Sequence, residues 1–237
     1  MTKHLDANAL SVLGSIDHAI LSPTLTDAET RASLALVQGV PIASVCVRPH
    51  AVGMALEACS GTTVCTVVGF PHGGQLPEAK ALEASLALAS GAREIDMVVN
   101  AGKVLSCDWE FVRRDISEVL TVVREQEGIL KVIFETDYLV DDAHKIRLCE
   151  LSGELAVDFV KTSTGFAFVK GKDGGYDQHG ATDHDLILMR RHSPAQVGVK
   201  ASGGVRDLAR AKRVLELGCT RIGTSSTLAI LKELQAC

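Results

Sequence analysis

Two lysines stand inside apolar stretches that are typical of buried strands. Lys161 lies in the stretch VDFVKTSTG, and Lys200 lies in VGVKASGG. An ammonium group taken out of water must be paired or must lose its proton, and burial can lower a lysine pKa by several units. A neutral lysine amine attacks an aldehyde or ketone to form a Schiff base, which is an electron sink for making or breaking an adjacent carbon–carbon bond. Both lysines are therefore candidates for nucleophilic catalysis.

The two lysines are predicted to face one space. Side chains alternate across a strand, so Lys161 shares a face with Phe159 and Ser163, and Lys200 shares one with Ser202. On neighbouring strands, two ammonium groups a few Å apart destabilise each other's charged form and favour a neutral amine near pH 7. The alternative is that both lysines extend outward from the strand ends, with their ammonium groups in water.

A carboxylate is predicted in another buried strand. Asp96 lies in EIDMVVN, where the apolar neighbours argue for burial and hence for a charged partner. It is either a structural ion-pair partner of a lysine or of Arg93, or a group that holds Lys200 charged or transfers protons during the reaction. The two roles are compatible.

Glycine-rich turns follow the last two predicted strands. SGGVRD (Ser202–Asp207) and IGTSS (Ile222–Ser226) each end a strand and open a helix. In barrels the loops after strands seven and eight often hold phosphate, because glycine permits close approach and helix N-termini offer free N–H groups. With Arg206 adding positive charge, the two turns together favour a phosphorylated substrate.

Short β-rich runs alternate with helical patterns, which predicts parallel strands joined by right-handed crossovers. Eight such units in 237 residues predict an α/β fold, a single-domain TIM (β/α)8 barrel over residues 1–237 with a short N-terminal helical extension. A doubly wound open sheet is the alternative. The predicted strands are 16–21, 42–47, 63–69, 94–100, 131–136, 158–164, 197–204 and 220–226. The predicted helices are 27–38, 49–60, 77–92, 109–125, 141–152, 183–191, 207–217 and 226–235.

Two segments carry particular signals. The helix over 77–92 is predicted from Leu82, Leu86 and Ala89, which recur at helical spacing. The segment Ala167–Gly180, after the sixth predicted strand, is polar, rich in glycine and longer than most connections of this kind. In a barrel it would lie on the catalytic face.

Composition limits the classes of partner. The net charge of −5 argues against binding to nucleic acid or to an anionic membrane surface. No stretch approaches the roughly 20 apolar residues of a membrane span or forms a secretory signal, so a cytoplasmic location is expected. Seven cysteines without a CxxC pair indicate reduced core thiols. The histidines, including His72, His179 and His184, lack the spacing of a zinc site, so we expect no metal and no cofactor.

In combination, the motifs resemble those of one family. DFVKTSTGF, KASGGVRD, EIDMVVNAG and RIGTSS, with IDHAILSP and SVCVRP near the start, are similar to the motifs of the deoxyribose-phosphate aldolases, from about Ile16 to Leu231. These class I aldolases have a TIM barrel fold and reversibly cleave 2-deoxy-D-ribose 5-phosphate to D-glyceraldehyde 3-phosphate and acetaldehyde. The resemblance implies the same small-molecule partners, a phosphorylated sugar and an aldehyde. It also implies a homo-oligomer, since family members are often dimers.

The resemblance implies a role for each catalytic candidate. Lys161 corresponds to the Schiff-base lysine, Lys200 to the lysine that lowers the pKa of that amine, and Asp96 to the proton-transfer acid/base. Some members use a C-terminal tyrosine in proton transfer, whereas this sequence ends LKELQAC. Tyr176 in the insertion is a substitute to be considered for that role.

The resemblance also implies binding positions. Asp17 and Thr162 match residues that orient sugar hydroxyls and water, and Cys46 matches a thiol near the aldehyde. Ala19 and Ser22 replace a threonine and a lysine of the usual family start, which would alter the substrate entrance. The phosphate site is matched by Gly203, Gly204, Val205, Arg206, Gly223, Ser225 and Ser226.

Two other functions stay open. The long insertion is compatible with a related barrel lyase that acts on a different deoxy or branched sugar phosphate. A non-catalytic barrel that binds phosphosugars in a regulatory complex is the third hypothesis. It is the weakest of the three, because two facing lysines and an aspartate destabilise a fold that has no chemistry to perform.

Overall fold

Parallel strands close into a barrel in the computed structural model, which describes residues 5–170 and 174–236. The barrel strands are β1 (Ile16–Ile20), β2 (Ser44–Val47), β3 (Thr63–Val68), β4 (Glu94–Val98), β5 (Ile129–Ile133), β6 (Phe159–Lys161), β9 (Gly198–Ser202) and β10 (Arg221–Thr224); β7 and β8 are defined below. Their order around the barrel is β1-β10-β9-β6-β5-β4-β3-β2. The predicted TIM barrel is confirmed, and the open doubly wound sheet is wrong, because β1 pairs with β10 and closes the sheet.

The strands are buried on both faces, and the two faces differ in chemistry. All five residues of β4 are buried. Ile95 and Met97 belong to the apolar core between the barrel and the helices, which also contains Ile116 from a surrounding helix. Asp96, between them in the chain, meets charged partners inside the barrel. Because side chains alternate along a strand, one face supplies the apolar core and the other is free to carry a site.

The helices coincide with the predicted ones, with two differences. The predicted helix over 49–60 opens with a 3-10 turn, Pro49–Ala51, and the short helix α5 was missed because one turn shows no repeating pattern. Helix α1 precedes the barrel and is capped by Asp6, whose carboxylate accepts from the Ala9 N–H. The helices are α1 (Ala7–Gly14), α2 (Asp27–Val37), α3 (Val52–Ala58), α4 (Pro77–Ala89), α5 (Ala101–Leu105), α6 (Trp109–Glu125), α7 (Asp142–Leu155), α8 (Asp183–His192), α9 (Leu208–Glu216) and α10 (Thr227–Ala236).

The buried face of α4 is not the face that Leu82 and Leu86 indicate. Leu82 and Leu86 each keep 61% of their surface exposed. The buried face instead includes Lys80, which is fully buried and donates to the Val98 carbonyl at 2.9 Å and to Asp115 at 2.7 Å. A charged residue paired this well can occupy a core position, so helical spacing identified the helix but not the side that packs.

The insertion after β6 contains a small hairpin. Strand β7 (Val169–Lys170) pairs antiparallel with β8 (Tyr176–Asp177), and the Phe168 and Tyr176 rings meet edge to face at 5.5 Å. Within Ala167–Gly180, residues 171–173 lie outside the described part of the chain. Two-residue strands carry no readable alternation, so the sequence predicted only a loop here. No helix in the described ranges is long and apolar enough to cross a membrane.

Candidate active site

The barrel interior holds a cluster of buried charges. Alternation along the strands directs one charged side chain after another toward the barrel axis, and their exposed fractions are close to zero, for example 2% for Lys161 and 1% for Lys200. Buried ions of one sign are therefore matched by ions of the other. The cluster consists of Asp17 from β1, Glu94 and Asp96 from β4, Lys131 from β5, Lys161 from β6, Lys200 from β9 and Arg221 from β10.

Asp96 brings the three predicted catalytic residues together. Lys161 and Lys200 are register partners on the neighbouring strands β6 and β9, so their side chains face one space as the sequence predicts. Both donate to the same oxygen of Asp96, Lys161 Nζ at 2.6 Å and Lys200 Nζ at 2.7 Å from Oδ2. The outward-facing alternative is therefore wrong.

The surroundings of Lys200 keep it charged. Burial alone would lower the pKa of Lys200, but the Asp17 and Asp96 carboxylates outweigh burial and hold that pKa above its ordinary value. Asp17 Oδ2 lies 2.5 Å from Lys200 Nζ. Burial likewise would raise the pKa of Asp96, but the neighbouring Lys131, Lys161 and Lys200 hold it well below the usual range. At neutral pH this part of the site is an ammonium and a carboxylate in contact.

Lys131 is a third lysine in the cluster, and the sequence analysis missed it. It is fully buried, and its Nζ lies 2.7 Å from both Asp96 Oδ1 and Glu94 Oε2 and 3.2 Å from Cys65 Sγ. The Asp17 carboxylate, whose Oδ2 lies 3.5 Å from Lys131 Nζ, and these contacts outweigh burial and raise the pKa of Lys131 well above its ordinary value. Lys131 was taken as the first residue of its strand, where an ammonium reaches water; the apolar Ile129 before it was the available signal that the strand begins earlier.

Three of the predicted binding residues belong to the barrel strands or directly follow one: Asp17 is on β1, Cys46 is on β2, and Thr162 follows β6. Asp17 accepts from Ser44 Oγ at 2.7 Å in addition to its cationic partners. Thr162 directs its hydroxyl to the Ser202 carbonyl at 2.8 Å, so it links β6 to β9. Cys46 Sγ lies within 4.8 Å of Cys65 Sγ, and the neighbouring Cys65 side chain lowers the pKa of the Cys46 thiol. Among the described residues, these three candidates are not part of the cavity lining, so any contact with a ligand would come from beneath it.

A cavity of about 540 Å³ opens at the C-terminal ends of β1, β6, β9 and β10. Its floor touches the charge cluster: a Cβ at Gly223 would lie 2.9 Å from Ser202 Oγ and 3.2 Å from Lys200 Cε. Arg206 is the one charged side chain among the described lining residues. All seven predicted phosphate-site residues line it, namely Gly203, Gly204, Val205, Arg206, Gly223, Ser225 and Ser226.

The two glycine-rich turns present backbone to this cavity in different ways. Gly203 has a φ of 92°, which glycine adopts without strain, and a Cβ there would lie 2.9 Å from Gly180 Cα. The N-terminus of α9 is already capped, since Asp207 accepts from the Arg210 N–H. Helix α10 begins directly after Ser226, and the N–H groups of its first turn have no partner within the helix. An anion in the cavity would therefore meet α10.

The profile of the DeoC/LacD aldolases matches residues 7–232. The chain belongs to this aldolase family. It is 45% identical to a deoxyribose-phosphate aldolase from Rhodopirellula baltica over 92% of this chain and 87% of the relative. It is 42% identical to the enzyme of the same name from Bacillus mycoides, over 94% of this chain and 95% of the relative.

Solved aldolase structures share this fold. An aldolase named QR15 superposes with a TM-score of 0.86 at 34% identity, covering 95% of this chain and 96% of that one. The deoxyribose phosphate aldolase from Aeropyrum pernix, described as tetrameric, superposes with a TM-score of 0.81 at 29% identity, covering 96% and 92%.

The aldolase site also includes residues that sequence reasoning did not select. His18 lines the cavity, and its Nδ1 lies 2.8 Å from the Oγ1 of Thr227 in the first turn of α10. Burial lowers the pKa of His18 to about 4, so its ring is neutral at pH 7. Its position beside Asp17 was the available signal. Tyr176 stays 66% exposed on the hairpin, whereas Gln178 from the same insertion reaches the cavity.

Two groups of side chains in the aldolase could bind a metal ion by their residue types, but lysines already contact both groups. Asp142, His184 and Asp185 lie close together, but Lys145 Nζ sits 2.7 Å from Asp142 and 2.6 Å from Asp185. The second grouping, which consists of two cysteines and Asp96, contacts the lysines of the charge cluster. In both places an ammonium supplies the positive charge that a cation would bring.

Proposed function

We propose that the protein is a class I deoxyribose-phosphate aldolase that reversibly cleaves 2-deoxy-D-ribose 5-phosphate to D-glyceraldehyde 3-phosphate and acetaldehyde. The observation that carries the proposal is the contact of Lys161 and Lys200 with one oxygen of Asp96, directly beneath a cavity lined by two glycine-rich turns. The names and high coverage of the relatives support the same activity.

Charge balance supports Lys161 as the nucleophile. Apart from Lys161, the described cluster has three carboxylates, Asp17, Glu94 and Asp96, and three cations, Lys131, Lys200 and Arg221. These charges cancel, so a proton on Lys161 would leave one uncompensated positive charge in a buried site. The neutral amine of a lysine is the form that attacks a carbonyl, so Lys161 is the proposed nucleophile.

The reaction follows from this arrangement. The Nζ of Lys161 adds to C1 of the open-chain sugar, and loss of water gives the iminium. Removal of the C3 hydroxyl proton then lets the C2–C3 bond break, with its electron pair moving into the iminium to give an enamine and glyceraldehyde 3-phosphate. Protonation at C2 and addition of water release acetaldehyde and restore Lys161. Asp96, as the carboxylate in contact with both amines, carries these protons, and Lys200 supplies the proton that Asp96 passes on.

The phosphate would bind at the opposite end of the cavity. Gly203 and Gly204 permit close approach of the backbone, α10 directs its first-turn N–H groups there, and Arg206 adds a guanidinium. This local positive site offsets the overall negative charge of the chain.

A coupled assay for glyceraldehyde 3-phosphate in the presence of EDTA tests the proposal. We expect turnover by the wild type and none by Lys161→Ala. Borohydride reduction in the presence of acetaldehyde should attach an ethyl group to Lys161, identified by peptide mass, and leave the exposed Lys232 of α10 unmodified. A wild type that is neither active nor labelled would contradict the Schiff-base mechanism.

A related lyase acting on a different deoxy or branched sugar phosphate is the second candidate. It is favoured by Gln178, which brings the insertion into the cavity lining. A panel of phosphorylated and unphosphorylated aldehyde acceptors separates the two, because the second candidate predicts Schiff-base labelling with little turnover of deoxyribose 5-phosphate. The dimeric state and cytoplasmic location remain predictions, and light scattering on the purified protein tests the former.

A further inference from the structure

The turn after β5 consists of Glu135 and the 3-10 turn Thr136–Tyr138. Its side chains bind both ends of the connection from β6 to α8. Thr164, at the start of this connection, donates its N–H at 3.2–3.3 Å and its hydroxyl to the Glu135 carboxylate. Near its end, the N–H groups of His179 and Gly180 donate to Asp137 at 3.0 and 3.1 Å. Glu135 and Asp137 lie two residues apart, so one short turn fixes two points of a long connection.

The two fixed ends of the connection shape the cavity, because one end lines it and the other packs against a residue that lines it. Thr164 and Phe166 line the cavity, and the Phe166 N–H donates to Thr164 Oγ1 at 2.9 Å, so the Glu135–Thr164 contact extends to Phe166. At the other end, Gly180 packs on the glycine-rich turn: a Cβ there would lie 2.8 Å from the backbone of Gly203. The position of this turn therefore sets the shape of the cavity on two sides.

Glu135 itself occupies an unfavourable position. Its backbone is left-handed, with φ 54° and ψ 66°, which is strained for a side chain of this size. It is 1% exposed, and burial raises its pKa to about 7 against the opposing effect of its bonds to Thr164. Among the described ionisable groups near it, Asp137 raises this pKa and Lys161 lowers it. Strain and a buried carboxyl beside a cleft indicate a functional constraint.

We propose that Glu135 is a positioning residue for the sugar phosphate, whose carboxylate fixes Thr164 and Phe166 as a wall of the cavity. The inference rests on the proposed function. Glu135 does not line the cavity within the described residues, so it acts through Thr164 and not by contact with the reacting atoms. Removing its charge should loosen the wall and weaken substrate binding while leaving the reactivity of Lys161 intact.

The variant Glu135→Gln tests the proposal, because KM reports on substrate binding and borohydride trapping reports on the reactivity of Lys161. We expect KM for 2-deoxyribose 5-phosphate to rise about tenfold, which is typical of losing hydrogen bonds to a charged group. The rate of borohydride trapping of acetaldehyde on Lys161 should stay within about twofold, because that small aldehyde does not need the wall. An unchanged KM, or a trapping rate that falls as much as kcat/KM, would overturn the proposal.

Glu127→Gln is the matched control. Glu127 also has a left-handed backbone, with φ 52°, but it is exposed and lies in the turn before β5. We expect its KM to equal that of the wild type. If Glu135→Gln does not fold, Thr164→Val removes the other partner of the same bond, and the same rise in KM with normal trapping is expected.

The outcomes also distinguish this proposal from the proposed function. If the wild type is trapped by acetaldehyde but does not cleave deoxyribose 5-phosphate, the substrate assignment fails. The positioning role is then tested by calorimetry with glyceraldehyde 3-phosphate, where Glu135→Gln should bind about tenfold more weakly. Equal affinity of the two proteins would contradict it.

Discussion

Lys161 and Lys200 share one oxygen of Asp96, yet their surroundings make them unequal. Lys200 contacts a second carboxylate, Asp17, whereas Lys161 contacts Asp96 alone among the described side-chain bonds. An ammonium is favoured where it has more anionic partners, and Lys200 has one carboxylate partner more than Lys161. This asymmetry agrees with the proposed division of tasks, in which Lys200 holds charge and Lys161 reacts.

Replacing Lys200 tests this assignment. In Lys200→Leu the carboxylates of Asp17 and Asp96 lose a cation, so Lys161 is expected to retain its proton to higher pH. We expect kcat/KM at neutral pH to fall by about 100-fold or more, with the pH–rate profile displaced toward alkaline pH. Measuring kcat/KM from pH 6 to about 10 checks this. A profile of unchanged shape would contradict the role of Lys200.

Lys131 gives a prediction about stability. Lys131→Met leaves Glu94 and Asp96 facing each other without their common cation, and breaking such a buried pair costs about 3–5 kcal/mol. Urea unfolding at pH 7.5 measures the loss. The double variant Lys131→Met with Glu94→Gln removes the one excess negative charge that Lys131→Met leaves in the cluster, and it should recover part of the lost stability. No recovery would show that packing, and not charge, is the main contribution of Lys131.

At the scale of elements, close packing of β10 on β9 sets the floor of the cavity. Gly223→Ala would place a methyl group 2.9 Å from Ser202 Oγ and 3.2 Å from Lys200 Cε, so Lys200 must shift. We expect kcat/KM to fall at least tenfold, with a stability loss of about 1–3 kcal/mol. Gly53→Ala is the control, because it meets nothing within 4 Å in α3 and should stabilise the protein by about 0.5–1 kcal/mol. Equal activity of the two variants would contradict the prediction.

The elements were predictable to the extent that their patterns are local. Buried parallel strands are continuous apolar runs, which is why Lys161 and Lys200 could be recognised as exceptions within them. Lys131 was missed because it was placed at a strand end. The buried face of α4 was missed because the burial of Lys80 depends on its ion pair with Asp115, a residue distant in sequence. Such pairings become visible only once the chain has folded.

The site was predictable where its chemistry depends on residue type. Lysine, aspartate and the glycine turns indicate it directly, and the cavity contains all the predicted phosphate residues. The bond between Glu135 and Thr164 joins residues that follow the neighbouring strands β5 and β6, and the left-handed backbone of Glu135 has no signature in the sequence KVIFET. Positioning residues of this kind act through tertiary contacts, so sequence patterns do not report them.

At the scale of the whole molecule, the pH dependence of the free energy of unfolding combines two buried groups whose pKa values are shifted in opposite directions. Burial lowers the pKa of His18 from 6.5 to about 4, so its contribution to stability is lost as pH falls from 6.5 toward 4. Burial raises the pKa of Glu135 from 4.5 to about 7, so its contribution is present below 4.5 and is lost as pH rises toward 7. Each shift corresponds to about 3 kcal/mol. Between pH 4.5 and 6.5 the two slopes oppose each other.

Two single variants should therefore tilt the stability curve in opposite directions. In His18→Asn the contribution of Glu135 remains, so stability should fall relative to the wild type as pH rises from 4.5 to 6.5. In Glu135→Gln the contribution of His18 remains, so stability should rise across the same pH range. Below pH 4 both variants should lose stability together, because the lysines hold the pKa of Asp96 well below its ordinary value despite burial. Urea unfolding at half-unit pH steps measures how the free energy of unfolding depends on pH in the wild type and in both variants. If the curves of the two variants were parallel between pH 4.5 and 6.5, the opposing pKa shifts of His18 and Glu135 would be refuted.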